Sequence, residues 1–484
     1  MHVLYRIVGT LLTRLSGVSA SSVKIALIAG FIVVGTATTT ALSVYHPQFE
    51  FQAAEHDAKQ YMRLALSLAK FGAYSGEYEN AARAKTEPSA RRPPGYPVIA
   101  AFGLLFSKAD RDALSCQLKD KDNCDLKVWS LRTVHVILLL GLTAIMFAGG
   151  YYATGQWLGA GIAAATVAVS PTILLDGFFH FYSDTAAAVL FAAGSLAVML
   201  AVRRQSWQWW GVSGVLYGLA ALTRPAFLYT TLMVAVLIAA YGVFQWLRNH
   251  PPGRRALVAG VALAIGVGVT VTPWMARNSA VVGEYRIQEK NPTGILGNRV
   301  AYNQMTLEEG LSAFILYVPG LGDHLAEWLL PRESYDRMRH QGEGTYRSMR
   351  HEMTREHDGK WDLVATIVSD PIKNTLVSVV ILYKMSMTTL SSVLFMPAFL
   401  IGLVMIWRNR RWDLAVFVLP VLVYLLVHAG ITNGLPRYGK PLFAIYGVVF
   451  AYVAVMVIER LCLWRDQVLA RRTLQANFRQ DAQT

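Results

Sequence analysis

Long apolar runs alternate with short polar gaps along this chain. Runs of membrane length fall at about 25–45, 129–150, 157–175, 184–201, 208–223, 226–246, 256–273, 390–407, 412–429 and 441–459. A helix of ~20 apolar residues crosses the hydrocarbon core of a bilayer, so the pattern predicts ten spanning helices. Two long polar interruptions, 46–128 and 274–389, break the series, and with ten spans both fall on the same side. No internal repeat or low-complexity linker divides the chain. Residues 1–484 therefore read as one all-α polytopic membrane domain, capped by the two long loops.

The first interruption contains AAEHDAKQYMRLALSLAKF at 53–71, which has no Pro or Gly and good helix formers throughout. Tyr61, Leu64, Leu68 and Phe71 share one face, with Asp57 one turn before Tyr61. The segment is too short to span and too amphipathic for a loop. It predicts a helix lying in the membrane interface, with Asp57 turned to the membrane rim. An acidic residue is also simply favoured in a helix's first turn. Glu55 points away around the helix and stays a secondary acidic candidate, while His56 reads as a surface residue.

The following stretch, ARRPPGYPVIAAFGLLF, cannot continue that helix through Pro93 and Pro94. The chain turns there beside Arg91 and Arg92, and 98–106, too short to span, is expected to dip into the interface. In 360–389 the apolar stretch after Pro371 is interrupted by Lys384. It reads as a second interfacial helix. An eleventh span is the alternative, and it would reverse the side of the C-terminus.

Composition agrees with a membrane protein and excludes a soluble domain: 54% of residues are hydrophobic and 16% charged, with mean hydropathy +0.36. The net charge of +14 sits mostly in gaps between apolar runs. The expected partners are therefore the lipid bilayer and anionic lipid-linked substrates, and no nucleic acid. One set of short loops carries Arg203, Arg204, Arg248, Arg254, Arg255, Arg408, Arg410 and Arg411; the opposite set carries only Arg224, Arg437 and Lys440. The richer set belongs in the cytoplasm. Both termini are then cytoplasmic, including the tail 460–484, and both long loops face outside, the periplasm in a Gram-negative cell. The run at 25–45, preceded by Arg6, Arg14 and Lys24, reads as a retained signal-anchor, since it is long for a signal peptide, the alternative that the small residues at 36–43 suggest. Cys116 and Cys124 fall on the outer side, where an oxidising compartment permits a disulfide; two free thiols are the alternative.

Several stretches together resemble a known family. DAKQYMRLALSLAKFGAY at 57–74, followed by RPPGYP at 92–97, resembles the first outer loop of the GT-C glycosyltransferases. The resemblance is to the bacterial branch related to dolichyl-phosphate-mannose protein mannosyltransferases, lipid A aminoarabinose transferases and rhizobial galacturonosyltransferases. GLAALTRPAFL at 218–228, PWMARNSAVVGEY at 273–285, GILGN at 294–298 and LPRYGKPL at 435–442 resemble later turns of that branch, in the expected order. Many relatives carry an Asp-Glu pair where this chain has Asp57 followed by Ala58.

The resemblance implies inverting transfer of a sugar from a polyprenyl-phosphate carrier to a glycolipid, polymer or protein acceptor. The reaction would take place on the outer face of the cytoplasmic membrane. Phosphate is already a competent leaving group, so one carboxylate suffices, as a base for the acceptor hydroxyl. Asp57 is that candidate. The departing phosphate needs cations placed in advance. The exceptions to the charge rule, Arg224, Arg437 and Lys440, are the first choices, with Arg92 and Arg277 behind them and Tyr61 and Tyr96 as further substrate contacts. Headgroup contact or capping of carbonyls would account for the same arginines. Asp176, His180 and Asp184 are four apart and would share a helical face, a spacing that suits a divalent cation, which some GT-C enzymes use. Helix-end acids give the same pattern, so the metal is left open, and no other cofactor is called for. His340, His351, His357 and Asp358 read as a solvated face. A secondary transporter or flippase is the alternative class. The assigned spans hold no charge away from their ends except Arg132, with His135 one turn deeper, which argues against it.

Overall fold

The computed structural model describes residues 56–119, 124, 128–168, 183–250, 252–289, 293–318, 321–338, 345, 363–390, 395–432, 434 and 436–481. Among the described residues four helices come first: α1 (His56–Phe71), α2 (Ala81–Thr86), α3 (Gly95–Leu105) and α4 (Lys108–Lys119). Then follow α5 (Trp129–Thr154), α6 (Trp157–Ala168), α7 (Asp184–Arg204), α8 (Trp207–Thr223), α9 (Ala226–Leu247) and α10 (Pro252–Val282). The second long loop holds α11 (Thr293–Tyr302), α12 (Leu307–Leu316), α13 (Gly322–Leu329), α14 (Arg332–Met338), α15 (Leu363–Ser369) and α16 (Pro371–Leu390). The chain closes with α17 (Phe395–Arg408), α18 (Trp412–Ile431), α19 (Pro436–Gly439), a 3-10 turn (Lys440–Leu442) and α20 (Phe443–Asp481).

Among the described residues the fold is all-α, and six helices are long and apolar enough to cross a membrane. They are α5, α7, α9, α10, α18 and the Lys440–Ala470 stretch. This is a multi-pass membrane protein. Helices α6, α8 and α17 stand where three more spans are expected, with 12, 17 and 14 residues among those described. The expected span at 25–45 lies outside the described residues. Helix α16, at 20 residues, is not among the six. Its Lys384 is buried, with Nζ 2.9 Å from the Tyr302 hydroxyl and over the rings of Tyr302 and Tyr317, so the loop helices cover its charge.

The apolar core runs through α5, α7, α8, α10, α18 and α20, as helices with little surface polarity must pack on one another. At the α8–α10 crossing Gly214 and Gly266 bring backbone to backbone: a Cβ on Gly266 would come within 2.9 Å of Gly214 Cα. Between α11, α16 and α18 the fully buried Arg299 bonds Asn374 Oδ1 (2.8 Å), Ser378 Oγ (2.9 Å) and the Gly430 carbonyl (3.3 Å). Burial pushes its pKa down to about 10, which leaves it cationic at neutral pH.

One expectation about the first loop is corrected. Tyr61 and Leu64 do not face the membrane rim; they are buried, as are Met62, Ala65 and Leu66, and α1 packs on α3 and α4. The exposed apolar face belongs to α3, with Val98, Phe102 and Leu105 outward and Phe106 just beyond the helix. The α3–α4 hairpin covers α1, so protein rather than lipid buries that stripe. The disulfide between Cys116 and Cys124 (Cα–Cα 5.8 Å) closes the end of α4.

Candidate active site

At one end of the bundle the first turn of α1, the Arg92–Tyr96 turn, the start of α7, the end of α8 and α19 converge. The turn is held close by Gly95. A Cβ there would lie 2.6 Å from Thr223 Cγ2 and 2.7 Å from the Leu222 carbonyl, so only glycine lets the turn abut α8. This contact sets the Arg92 segment beside Arg224, the residue that follows Thr223.

Two ion pairs are built on the same plan. Arg92 pairs with Asp57, donates from Nε to Gln60 Oε1 at 2.8 Å, and lies over the Tyr61 ring at 5.2 Å. Arg224 pairs with Asp184 and lies over the Tyr438 ring at 4.9 Å. The four charged side chains retain only 7–18% exposure. Each pair joins segments distant in sequence, so each carboxylate fixes a guanidinium that its own element could not hold. Ser183, next to Asp184, donates from Oγ to the Tyr61 hydroxyl at 3.4 Å and links the two constructions.

The tyrosines form the next layer. Tyr61 meets Tyr96 edge-on at 5.5 Å, and the Tyr96 hydroxyl is 2.8 Å from His135 Nε2 on α5. Burial pushes the Tyr96 hydroxyl far above its ordinary pKa, so it stays neutral and packs the floor without adding charge.

Arg277, near the end of α10, clamps this end together. Its Nη1 donates to the Ser89 carbonyl (2.6 Å) and Asn278 Oδ1 (3.0 Å), and its Nη2 to the Tyr74 carbonyl (3.4 Å). Its guanidinium stacks on Trp274 (4.8 Å) and Tyr74 (5.6 Å). Tyr74 in turn donates to the Arg92 carbonyl at 3.0 Å, with its own hydroxyl kept neutral first by burial. Arg277 thus caps carbonyls of the first loop and positions Arg92 through Tyr74.

The structure brings Asp57, Arg92, Tyr61, Tyr96, Asp184 and Arg224 into one place. Lys440 sits half-buried in the 3-10 turn just after α19. Arg437 is on α19, but its side chain is not among those described. Glu55, Asp176 and His180 lie outside the described residues, as do His340, His351, His357 and Asp358. Among the described residues no three His, Cys, Asp or Glu side chains gather to hold a metal. Sequence reasoning missed Gln60, Ser183 and Tyr438. Gln60 was legible, because it lies three residues from Asp57 on a helix and shares its face. Nothing local marks Ser183 or Tyr438 as neighbours of Tyr61 and Arg224. Compared with known proteins, the chain matches no family model, no curated protein and no solved structure.

Proposed function

We propose that this protein is an integral-membrane glycosyltransferase that moves a sugar from a polyprenyl-phosphate carrier to a glycolipid, polymer or protein acceptor. The observation that carries the reading is the pair of buried carboxylate–guanidinium constructions meeting at Tyr61 and Ser183. On this reading the fold is of the GT-C type with ten spans. The termini lie in the cytoplasm of a bacterial inner membrane, and the site opens to the periplasmic side.

In the proposed reaction Asp57 takes the acceptor hydroxyl proton as that oxygen bonds to the anomeric carbon. The carbon–phosphate oxygen bond breaks on the opposite face, and the lipid phosphate leaves with the electron pair. A guanidinium neighbour favours the ionised carboxylate, the form a base must have. Arg92 and Arg224 are within the same cluster to receive the phosphate charge, with Arg437 and Lys440 beside Tyr438 on the adjoining turn. An arriving phosphate competes with Asp57 and Asp184 for the two guanidinium groups, which would release the base as the donor binds.

The test is transfer by the purified full chain, given a polyprenyl-phosphate sugar and envelope glycolipids, with products read by mass spectrometry. A glycolipid heavier by one sugar residue, lost in Asp57→Asn, is the expected result. Lipid movement across the bilayer with no change in any mass would replace this reading by the flippase.

A further inference from the structure

A cavity of ≈ 180 Å³ opens at the end of the bundle away from Asp57, lined by Thr154, Asn409, Arg411, Tyr452, Met456 and Glu459. Three elements build it: the α5–α6 turn, the α17–α18 turn and α20. Its two sides differ in charge. On one side the Arg411 guanidinium is held by two 3.0 Å bonds to Asp413 and lies over the Tyr452 ring at 5.6 Å. The Tyr452 hydroxyl accepts from Asn409 Nδ2 at 2.9 Å. On the other side Glu459 accepts from the amide of Gln156, and among the described residues no cationic side chain pairs with it. A carboxylate with a neutral partner faces, across a small space, a side that keeps excess positive charge because Arg411 and Arg203 share the one acid Asp413.

The depth of the cavity is marked independently. Tyr151 and Trp157 (4.9 Å) flank it on the α5–α6 turn, and Trp407 and Trp412 (5.9 Å) on the α17–α18 turn. Tyr151, Trp407 and Trp412 are exposed. Aromatic side chains exposed at the ends of membrane helices sit at headgroup level. The cavity has room for a small polar headgroup.

We propose that this cavity binds the headgroup of a zwitterionic phospholipid bearing a primary ammonium, as in phosphatidylethanolamine. The ammonium donates to Glu459, and the phosphate lies on the Arg411 side, where Arg408 and Arg410 are also exposed. A trimethylated ammonium has no N–H for Glu459. The Tyr452 ring is already covered by Arg411, so there is no aromatic cage to hold choline in its place. The proposal does not rest on sugar transfer, because the site is at the other end of the bundle.

The experiment is lipid retention by the full chain in nanodiscs, read by native mass spectrometry after delipidation. Discs contain equal phosphatidylethanolamine, phosphatidylcholine and phosphatidylglycerol. The expected result is retention of the ethanolamine lipid about tenfold over the choline lipid, the size of one charge-assisted hydrogen bond, and loss of that preference in Glu459→Gln. The lipid comparison needs no variant, so it stands even if Glu459→Gln fails to fold. Equal retention of the two zwitterionic lipids overturns the proposal, as does an unchanged preference in a folded Glu459→Gln protein. Displacement of the lipid by soluble phosphoethanolamine at matching concentration overturns the lipid as occupant.

Discussion

The two ends of the helical bundle both carry arginine–carboxylate pairs, but the pairs are built differently. At the Asp57 end, among the described residues, Arg92 pairs with Asp57 and Arg224 with Asp184, each arginine also lies over a tyrosine, and both pairs are largely buried. At the opposite end Arg203 and Arg411 share the single acid Asp413, at 2.8 and 3.0 Å, and both arginines remain about a third exposed. A desolvated pair keeps fixed geometry and a strong local field, which the proposed chemistry on a phosphate-linked sugar would use. Two arginines on one acid leave a net positive charge in contact with water and headgroups. That suits a membrane surface and a solvated role.

The largest effect is expected at Asp57. Asp57→Asn should lower the sugar-transfer rate about 1,000-fold, with membrane insertion and monodisperse elution unchanged. A purified variant that transfers at the parent rate removes Asp57 as base. Next comes Arg224→Ala, which leaves the buried Asp184 without its guanidinium. It should cost about 3–5 kcal/mol of stability in a thermal melt, and Asp184→Asn combined with Arg224→Gln should cost less than the single change. Gly95→Ala forces a methyl against Thr223 and the Leu222 carbonyl, so the Arg92 turn must withdraw from α8. About 1–3 kcal/mol of destabilisation is expected, together with weaker donor handling in a KM measurement. Arg437→Ala should raise donor KM by about tenfold with little change in stability; unchanged donor kinetics would remove it from the phosphate site. The smallest effect belongs to the opposite end. Arg203→Ala should shift stability by about 0–1 kcal/mol and leave transfer unaltered, since Arg411 still holds Asp413.

Much of the site was legible because some residues break the surrounding pattern. Asp57 is an acid at the head of an apolar helix face, and Arg224 is a cation in the poorer set of short loops. Both stand out against a greasy background, where an unpaired charge is costly. The direction of the α1 face was misjudged for a physical reason. An amphipathic stripe reports that something apolar covers it, but not whether lipid or another helix does. Helix α8 likewise follows its apolar run, while its end at Thr223 is set by the turn into Arg224 and Pro225, which hydropathy does not record.

An all-helical multi-pass membrane protein is legible in the sequence alone, which also marks Asp57, Arg92, Asp184 and Arg224, the charged residues that the fold gathers. Hydrophobic length and the rarity of charge are local properties, written in the order of residues. Which acid meets which arginine was decided only by the tertiary structure. Asp57 reaches Arg92 across a proline turn, and Asp184 reaches Arg224 across a whole helix pair. Asp413 serves Arg203 and Arg411 at the far end. Pairing depends on how helices return and pack, and on single close approaches such as that of Gly95 to α8, which no local pattern contains.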